Sequence, residues 1–281
     1  MAMFELSVEV EDLTAPALLV AFDGWVNAGQ VGTATAEHIA EPGDPIASFD
    51  SDALFDYRVN RPGVDFVDGI MEEVRFPEMT LYRRNSGERD LLILTGPEPN
   101  WNWQAFAKAV ADLSAKLGVV EHVSMGGIPS AVPHTRPTRL LVTASRADLI
   151  SEEEQFPEGL LRVPGAAVSI VESFLVDQGM PAVGFWAQVP HYVGETYLPG
   201  VVAMVERIAR HLGATIPLGT LLDDSAKQQE RLSEVVAAED QAADYVRSLE
   251  NLLAAEGEVP SGEDIAEEIQ RFLEEAEEED R

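Results

Sequence analysis

Apolar runs of strand length alternate with segments of helical period from the first residues to about residue 213. Residues 16–22 predict a buried strand. A glycine-containing loop and a small-residue helix over 31–40 follow it, which together make a βα unit. Residues 45–50 predict a second strand. Residues 69–76 and 79–84 alternate, Asn85-Ser-Gly-Glu88 reads as a turn, and 91–94 is apolar again, the pattern of a three-stranded antiparallel meander. Phe106, Val110, Leu113 and Leu117 keep a 3.6-residue period, with Asn100 or Asn102 as N-cap and Gly118 just past the end. An apolar run from Val119 to Met125 then breaks at Gly126-Gly127. A proline-stiffened loop over 129–137 and a return strand over 140–143 follow. Residues 167–178 and 198–212 predict helices closed by Gly179 and Gly213, with a strand over 182–189 between them. Strands alternating with helices, plus one meander, imply an α/β fold with a mixed sheet.

The last fifth of the chain breaks this rhythm. Leu232, Val235, Ala242, Val246, Leu249 and Leu253 keep a spacing of three or four, with Glu239 filling the missing step. Ser261-Gly-Glu-Asp264 opens another helix, carrying Ile265, Ile269, Phe272 and Leu273 on one stripe. Two amphipathic helices around a turn at 256–260 predict an α-helical hairpin. It either completes the chain's own core or offers a partner surface. Residues 223–281 hold 20 acidic and 5 basic residues, a net −15, against −16 for the preceding 222 positions. The expected organisation is an α/β core over 1–217 and an acidic helical extension over 218–281.

Composition narrows the function. A net charge of −31 argues against nucleic acid and anionic membrane surfaces as partners. The absence of cysteine removes disulfides and thiolate metal sites, and no cofactor or metal is expected. No apolar run reaches the ~18 residues of a membrane span. The acidic start of the chain lacks the features of a signal peptide, so a cytoplasmic protein is expected.

Candidate chemistry gathers where loops should meet at the carboxyl edge of the sheet. The turn after the first strand holds Asp23 and Asn27, the loop after 91–94 holds Glu98, and Gly126-Gly127 exposes backbone. His134 and Arg136 lie in one proline-rich loop, His191 and Tyr192 in another. Two histidines with a carboxylate suit a metal or general-base role, or else brace the loops by hydrogen bonds to carbonyls. Arg136 either holds an anion with backbone amides near the glycine pair or forks onto Asp23, Glu98 or Asp56. The chain has no G-x-S-x-G, H-E-x-x-H or paired-carboxylate signature, and its first loop lacks a phosphate-binding fingerprint.

Several of these stretches together resemble the PAC2 family. They are Gly24-Trp-Val-Asn-Ala-Gly29, Phe55-Asp-Tyr-Arg58 with Arg61-Pro62, Gly96-Pro-Glu-Pro99 with Trp103, and Gly126-Gly-Ile-Pro129. Val132-Pro-His-Thr-Arg-Pro137, Trp186-Ala-Gln-Val-Pro-His-Tyr192 and Tyr245-Val-Arg-Ser-Leu-Glu250 extend the match. The resemblance implies a three-layer α/β/α core like that of the purine nucleoside phosphorylases, with a mixed, partly barrel-like sheet and a C-terminal helical extension. It also implies kinship with a proteasome assembly chaperone. The favoured role is then a non-catalytic, chaperone-like protein acting through its surfaces. The alternative is a small-molecule binder or phosphorylase- or hydrolase-like enzyme using the cleft around His134, Arg136 and His191. Two departures stand out. Asn27 occupies a position where many members carry Asp. The sequence ends Glu278-Glu-Asp-Arg281 rather than in the hydrophobic-Tyr-X tail by which some family chaperones dock, so a proteasome role would need another surface. Self-association is expected, with a trimer as first choice by analogy with the phosphorylase fold, and protein partners are possible. Loop aromatics Trp25, Phe55, Tyr57, Trp101 and Tyr197 are the expected interface residues.

Overall fold

Apolar side chains alternating between two faces decide the layering. In Ala17–Asp23 (β2), Leu18 and Val20 join one core while Ala17, Leu19 and Ala21 join the other. The computed structural model describes residues 3–7, 12–41, 43–151 and 159–257. Its remaining strands are Phe4–Leu6 (β1), Asp44–Phe49 (β3), Gly63–Val67 (β4), Ile70–Arg75 (β5), Thr80–Asn85 (β6), Asp90–Pro97 (β7), Glu121–Ser130 (β8), Leu140–Ala144 (β9) and Ala182–Pro190 (β10). The helices are Val31–Ala40 (α1), Ser51–Leu54 (α2), Trp103–Lys116 (α3), Ala167–Asp177 (α4), Leu198–Leu212 (α5), Leu221–Ala237 (α6) and Asp240–Gly257 (α7).

Eight strands form one sheet in the order β1-β3-β6-β7-β2-β8-β10-β9. The central ladders β7–β2, β2–β8 and β8–β10 are parallel, and the outer ones are antiparallel. Helices α1 and α5 cover one face, α3 and α4 the other. This is the expected three-layer α/β/α core with a mixed sheet. Among the described residues no helix is long and apolar enough to cross a membrane.

The structure departs from the sequence reading in four places. Residues 70–75 do not join the meander. They pair with β4 in a separate two-stranded sheet, and β6 pairs with β3 and β7 instead. Alternation shows that a strand exists, not which strand it joins. Asn102 precedes α3, but its side chain donates to the Ala53 carbonyl (2.8 Å) rather than capping the helix. The tail's apolar series is broken at Ala238 and Glu239, so the helical hairpin there is α6–α7. The helix expected after residue 260 lies outside the described residues.

The fourth departure is the glycine pair, which does not end its strand. β8 runs through it to Ser130. A Cβ on Gly127 would lie 2.2 Å from the Ala28 carbonyl, and one on Gly126 would lie 2.4 Å from that of Val26. Glycine is needed here because the loop after β2 lies directly on the strand.

Candidate functional site

The expected residues fall into two groups, and in each several of the polar side chains are hydrogen-bonded within the chain. At the ends of β2 and β7, the Asn27 side-chain amide donates to Asp23 Oδ1 (3.1 Å) and Thr33 Oγ1 (2.8 Å), while its Oδ1 accepts from the Thr33 N–H (3.2 Å). Glu98 accepts from the Ala167 N–H at 2.7 Å and from the Trp25 N–H at 3.3 Å. Its carboxylate therefore caps the first turn of α4 and pins the loop after β2, a favourable place for negative charge. The Gly127 N–H donates to the Val26 carbonyl at 2.8 Å. The expected anion cradle has spent that donor on the fold.

The second group lies where the two proline–histidine loops meet α6 and α7. The His134 backbone N–H donates to Tyr192 Oη (2.8 Å), whose own proton is then directed at His134 Nδ1, 2.9 Å away. Nε2–H is left to donate to Ser233 Oγ (3.2 Å), and that hydroxyl donates onward to the Gln229 carbonyl (2.9 Å). This closed circuit fixes His134 as the neutral Nε2–H tautomer, and burial lowers its pKa in the same sense. Burial also raises that of Tyr192. Gln229 donates to the His134 carbonyl (3.3 Å), and Thr135 donates to Glu250 on α7. His191 directs Nδ1 at the Ser130 carbonyl (3.1 Å) and Nε2 at the Tyr245 hydroxyl (3.2 Å). The rings of His134, Tyr192, His191 and Tyr245 pack edge to face in a chain, with centroids 5.6 to 5.9 Å apart.

The loops thus meet at one edge as expected, but as a brace for α6–α7. Both histidines are hydrogen-bonded within the chain, His191 to the Ser130 carbonyl and the Tyr245 hydroxyl, His134 to hydroxyls rather than to the carbonyls expected of a brace. The internal fork expected of Arg136 is not formed among the described residues. Its side chain is exposed, and among the described residues it forms no ion pair. Asp56 is taken by Arg58 at 2.6 Å, and Glu98 by the α4 terminus. Phe55 and Tyr197 are buried within the chain's own core, whereas Trp25 and Trp101 are exposed. Among the described residues no three histidine or acidic side chains come together to hold a metal.

Sequence reasoning missed two polar features. One is a buried relay between β8 and α4: His122 Nε2 lies 2.8 Å from Ser124 Oγ, which donates to Glu172 Oε2 at 2.7 Å. Burial lowers the pKa of His122 to about 3, which keeps its ring neutral, and raises that of Glu172. The other is an open cleft of about 770 Å³ beside α1, lined by Asp23, Glu37, Glu41, Glu78 and Thr80 among others. Of the expected site residues only Asp23 reaches it. Its carboxylates come from separate elements and form no motif, so the sequence held no signal for it.

The sequence model of the PAC2 family matches residues 21–236. A Mycobacterium tuberculosis protein of unknown function shares 32% identity and superposes with a TM-score of 0.84, over 90% of this chain and 91% of that one. A proteasome-assembly chaperone homologue from the same organism shares 32% identity with a TM-score of 0.75, covering 82% of this chain and 99% of its own. A PAC2 family protein from Streptomyces avermitilis shares 29% identity with a TM-score of 0.73, over 82% and 99% of the two chains. No protein of curated function matches the chain.

Proposed function

The chain belongs to the PAC2 family, and on that footing we propose that it is a non-catalytic, cytoplasmic assembly factor that acts on other proteins through its surfaces. The observation that carries this reading is the fate of the two candidate histidines. Every ring nitrogen of His134 and His191 is engaged within the chain. A general base must reach the proton it abstracts, and the His134 ring is buried with both nitrogens on partners inside the chain, while those of His191 are held by Ser130 and Tyr245. The chaperone homologue among the similar structures supports the same role. So does the apolar surface that stands exposed among the described residues. On the β4–β5 hairpin Val64 faces Val74 and Phe66 faces Met71, and all four are exposed. An isolated two-stranded sheet is marginal in water without cover.

Self-association is part of the proposal, with three copies the expected number. The extension from residue 218 serves as a separate unit held on the core by the His134–Tyr192 brace. Affinity capture with the full chain from the lysate of its own cells should recover a protein partner in stoichiometric amount. Recovery of the bait alone would remove the assembly role. Light scattering should give a mass of several chains, and a mass near 30.6 kDa at all concentrations would remove the oligomer.

A further inference from the structure

We propose that the cleft beside α1 binds a basic segment of the partner protein, receiving a lysine or arginine side chain among its carboxylates. This rests on the assembly reading and names what that reading's partner must present.

The cleft is lined by Asp23 from the end of β2, Glu37 from α1, Glu41 just beyond it and Glu78 ahead of β6, with no lysine, arginine or histidine among the described residues of its walls. Among the described residues the carboxylates of Glu37, Glu41 and Glu78 enter no ion pair. Elsewhere the scarce cations of this chain are matched to acids, as in Arg83–Asp90 and Arg89–Glu121. Arg84, the cation nearest the rim, donates to the backbone carbonyls of Ile39 and Glu41 instead. Four like charges around a shallow depression repel one another and attract a cation from outside.

A second observation is independent of charge. Thr80 lines the cleft and is only 8% exposed, yet its hydroxyl has no hydrogen-bond partner among the described residues. Its register opposite Thr95, a second lining residue, directs it to the α1 side of the sheet. The hydroxyl opens onto the cleft, where it can accept from an incoming N–H donor. An ammonium or guanidinium offers several donors at once, enough for Thr80 and the carboxylates together. The acids are spread too widely to enclose a metal ion, and Ala34, Tyr82 and Pro97 give an aliphatic stem or peptide backbone apolar surface to lie on.

Titration of a fluorescein-labelled tetralysine peptide into the full chain, read by fluorescence anisotropy at moderate salt, tests the proposal. The pair Glu37→Gln and Glu78→Gln should weaken binding about tenfold or more. Thr80→Val, which leaves charge unchanged, should weaken it about threefold. Glu72→Gln with Glu73→Gln on the β4–β5 hairpin alters net charge equally and should change binding less than about twofold. Circular dichroism shows whether each variant is folded. Equal loss in the hairpin pair would assign the binding to bulk charge and overturn the proposal. Tighter binding of spermidine than of tetralysine would overturn it in favour of a small polyamine. Tetralysine bound at the cleft without any captured partner would sustain the cleft and sink the assembly role. A captured partner whose recovery survives the Glu37 and Glu78 substitutions would do the reverse.

Discussion

Under α6 and α7, His134 bonds Tyr192 and Ser233, His191 bonds Ser130 and Tyr245, and Thr135 reaches Glu250. In the cleft beside α1, Glu37, Glu41 and Glu78 enter no ion pair among the described residues, and the hydroxyl of Thr80 opens onto the cleft without a partner among them. The first region contains the histidines and tyrosines on which a catalytic reading of the sequence rests, the second carboxylates and threonines that form no motif. Residue type therefore misleads here, and hydrogen-bond accounting separates the two. A polar group already satisfied inside the chain holds structure, whereas one left unsatisfied is available to something outside. This distinction predicts that substitutions under α6–α7 change stability and substitutions in the cleft change binding.

The largest effect should come from His134→Ala. Both the Tyr192 hydroxyl and Ser233 lose a partner, and a buried ring is replaced by a void. We expect a loss of about 2–4 kcal/mol in urea unfolding. Amide exchange should rise first in α6 and α7, because the brace joins them to the loops. Tetralysine binding should be unchanged in the folded variant. Full stability in this variant would break the comparison at its firmest point.

The buried relay gives the next effect. The folded-state pKa of His122, about 3, lies below the unfolded value near 6.5. Between those values the unfolded chain binds more protons, so this residue's contribution is intact above pH 6.5 and is lost as pH falls toward 3. Glu172, with its pKa raised, acts in the opposite sense above about pH 4.5. His122→Gln isolates the histidine term. Between pH 7.5 and pH 5 the wild type should lose about 2 kcal/mol more than the variant. Parallel stability curves would show that His122 takes up its proton as readily in the fold as in the unfolded chain.

Glu98→Ala should cost less, about 1 kcal/mol, from the loss of the α4 cap. The backbone of Glu98 bonds Asp23, which lines the cleft, so this position sharpens the comparison. As a holding residue beside a binding region, it should lower the unfolding midpoint and leave tetralysine affinity within about twofold.

Much of the frame was legible in the sequence. The helices at 31–40 and 198–212 carry helical periodicity, the second with a glycine just beyond it, and their bounds match the structure. Apolar runs also located the central parallel strands. What failed was information that lies in partners rather than in patterns. Residues 70–75 alternate like a meander strand but pair with β4. Glu239 interrupts the tail helix without a glycine or proline to announce it. The two histidine loops were expected at one edge, and they are there, yet the residues that consume them lie far along the chain, Ser233 being 99 positions from His134. No local rule links such positions. Thr80 sits in an ordinary strand sequence, and only the register of β6 against β7 turns it toward the cleft.

The smallest expected effect belongs to the cation that looked most interesting in the sequence. An arginine among so many acids invites an internal partner, and removing one member of a buried pair would cost roughly 3–5 kcal/mol. The structure exposes Arg136, gives it no ion pair among the described residues, and assigns Asp56 and Glu98 to other groups. Arg136→Ala should therefore shift stability by less than about 0.5 kcal/mol, and should not weaken tetralysine binding, since Arg136 is not among the residues that line the cleft. Thermal unfolding of the full chain measures the first, anisotropy the second. A loss of several kcal/mol would mean that Arg136 holds the proline loop as His134 does, and would move it from the exposed surface into the brace.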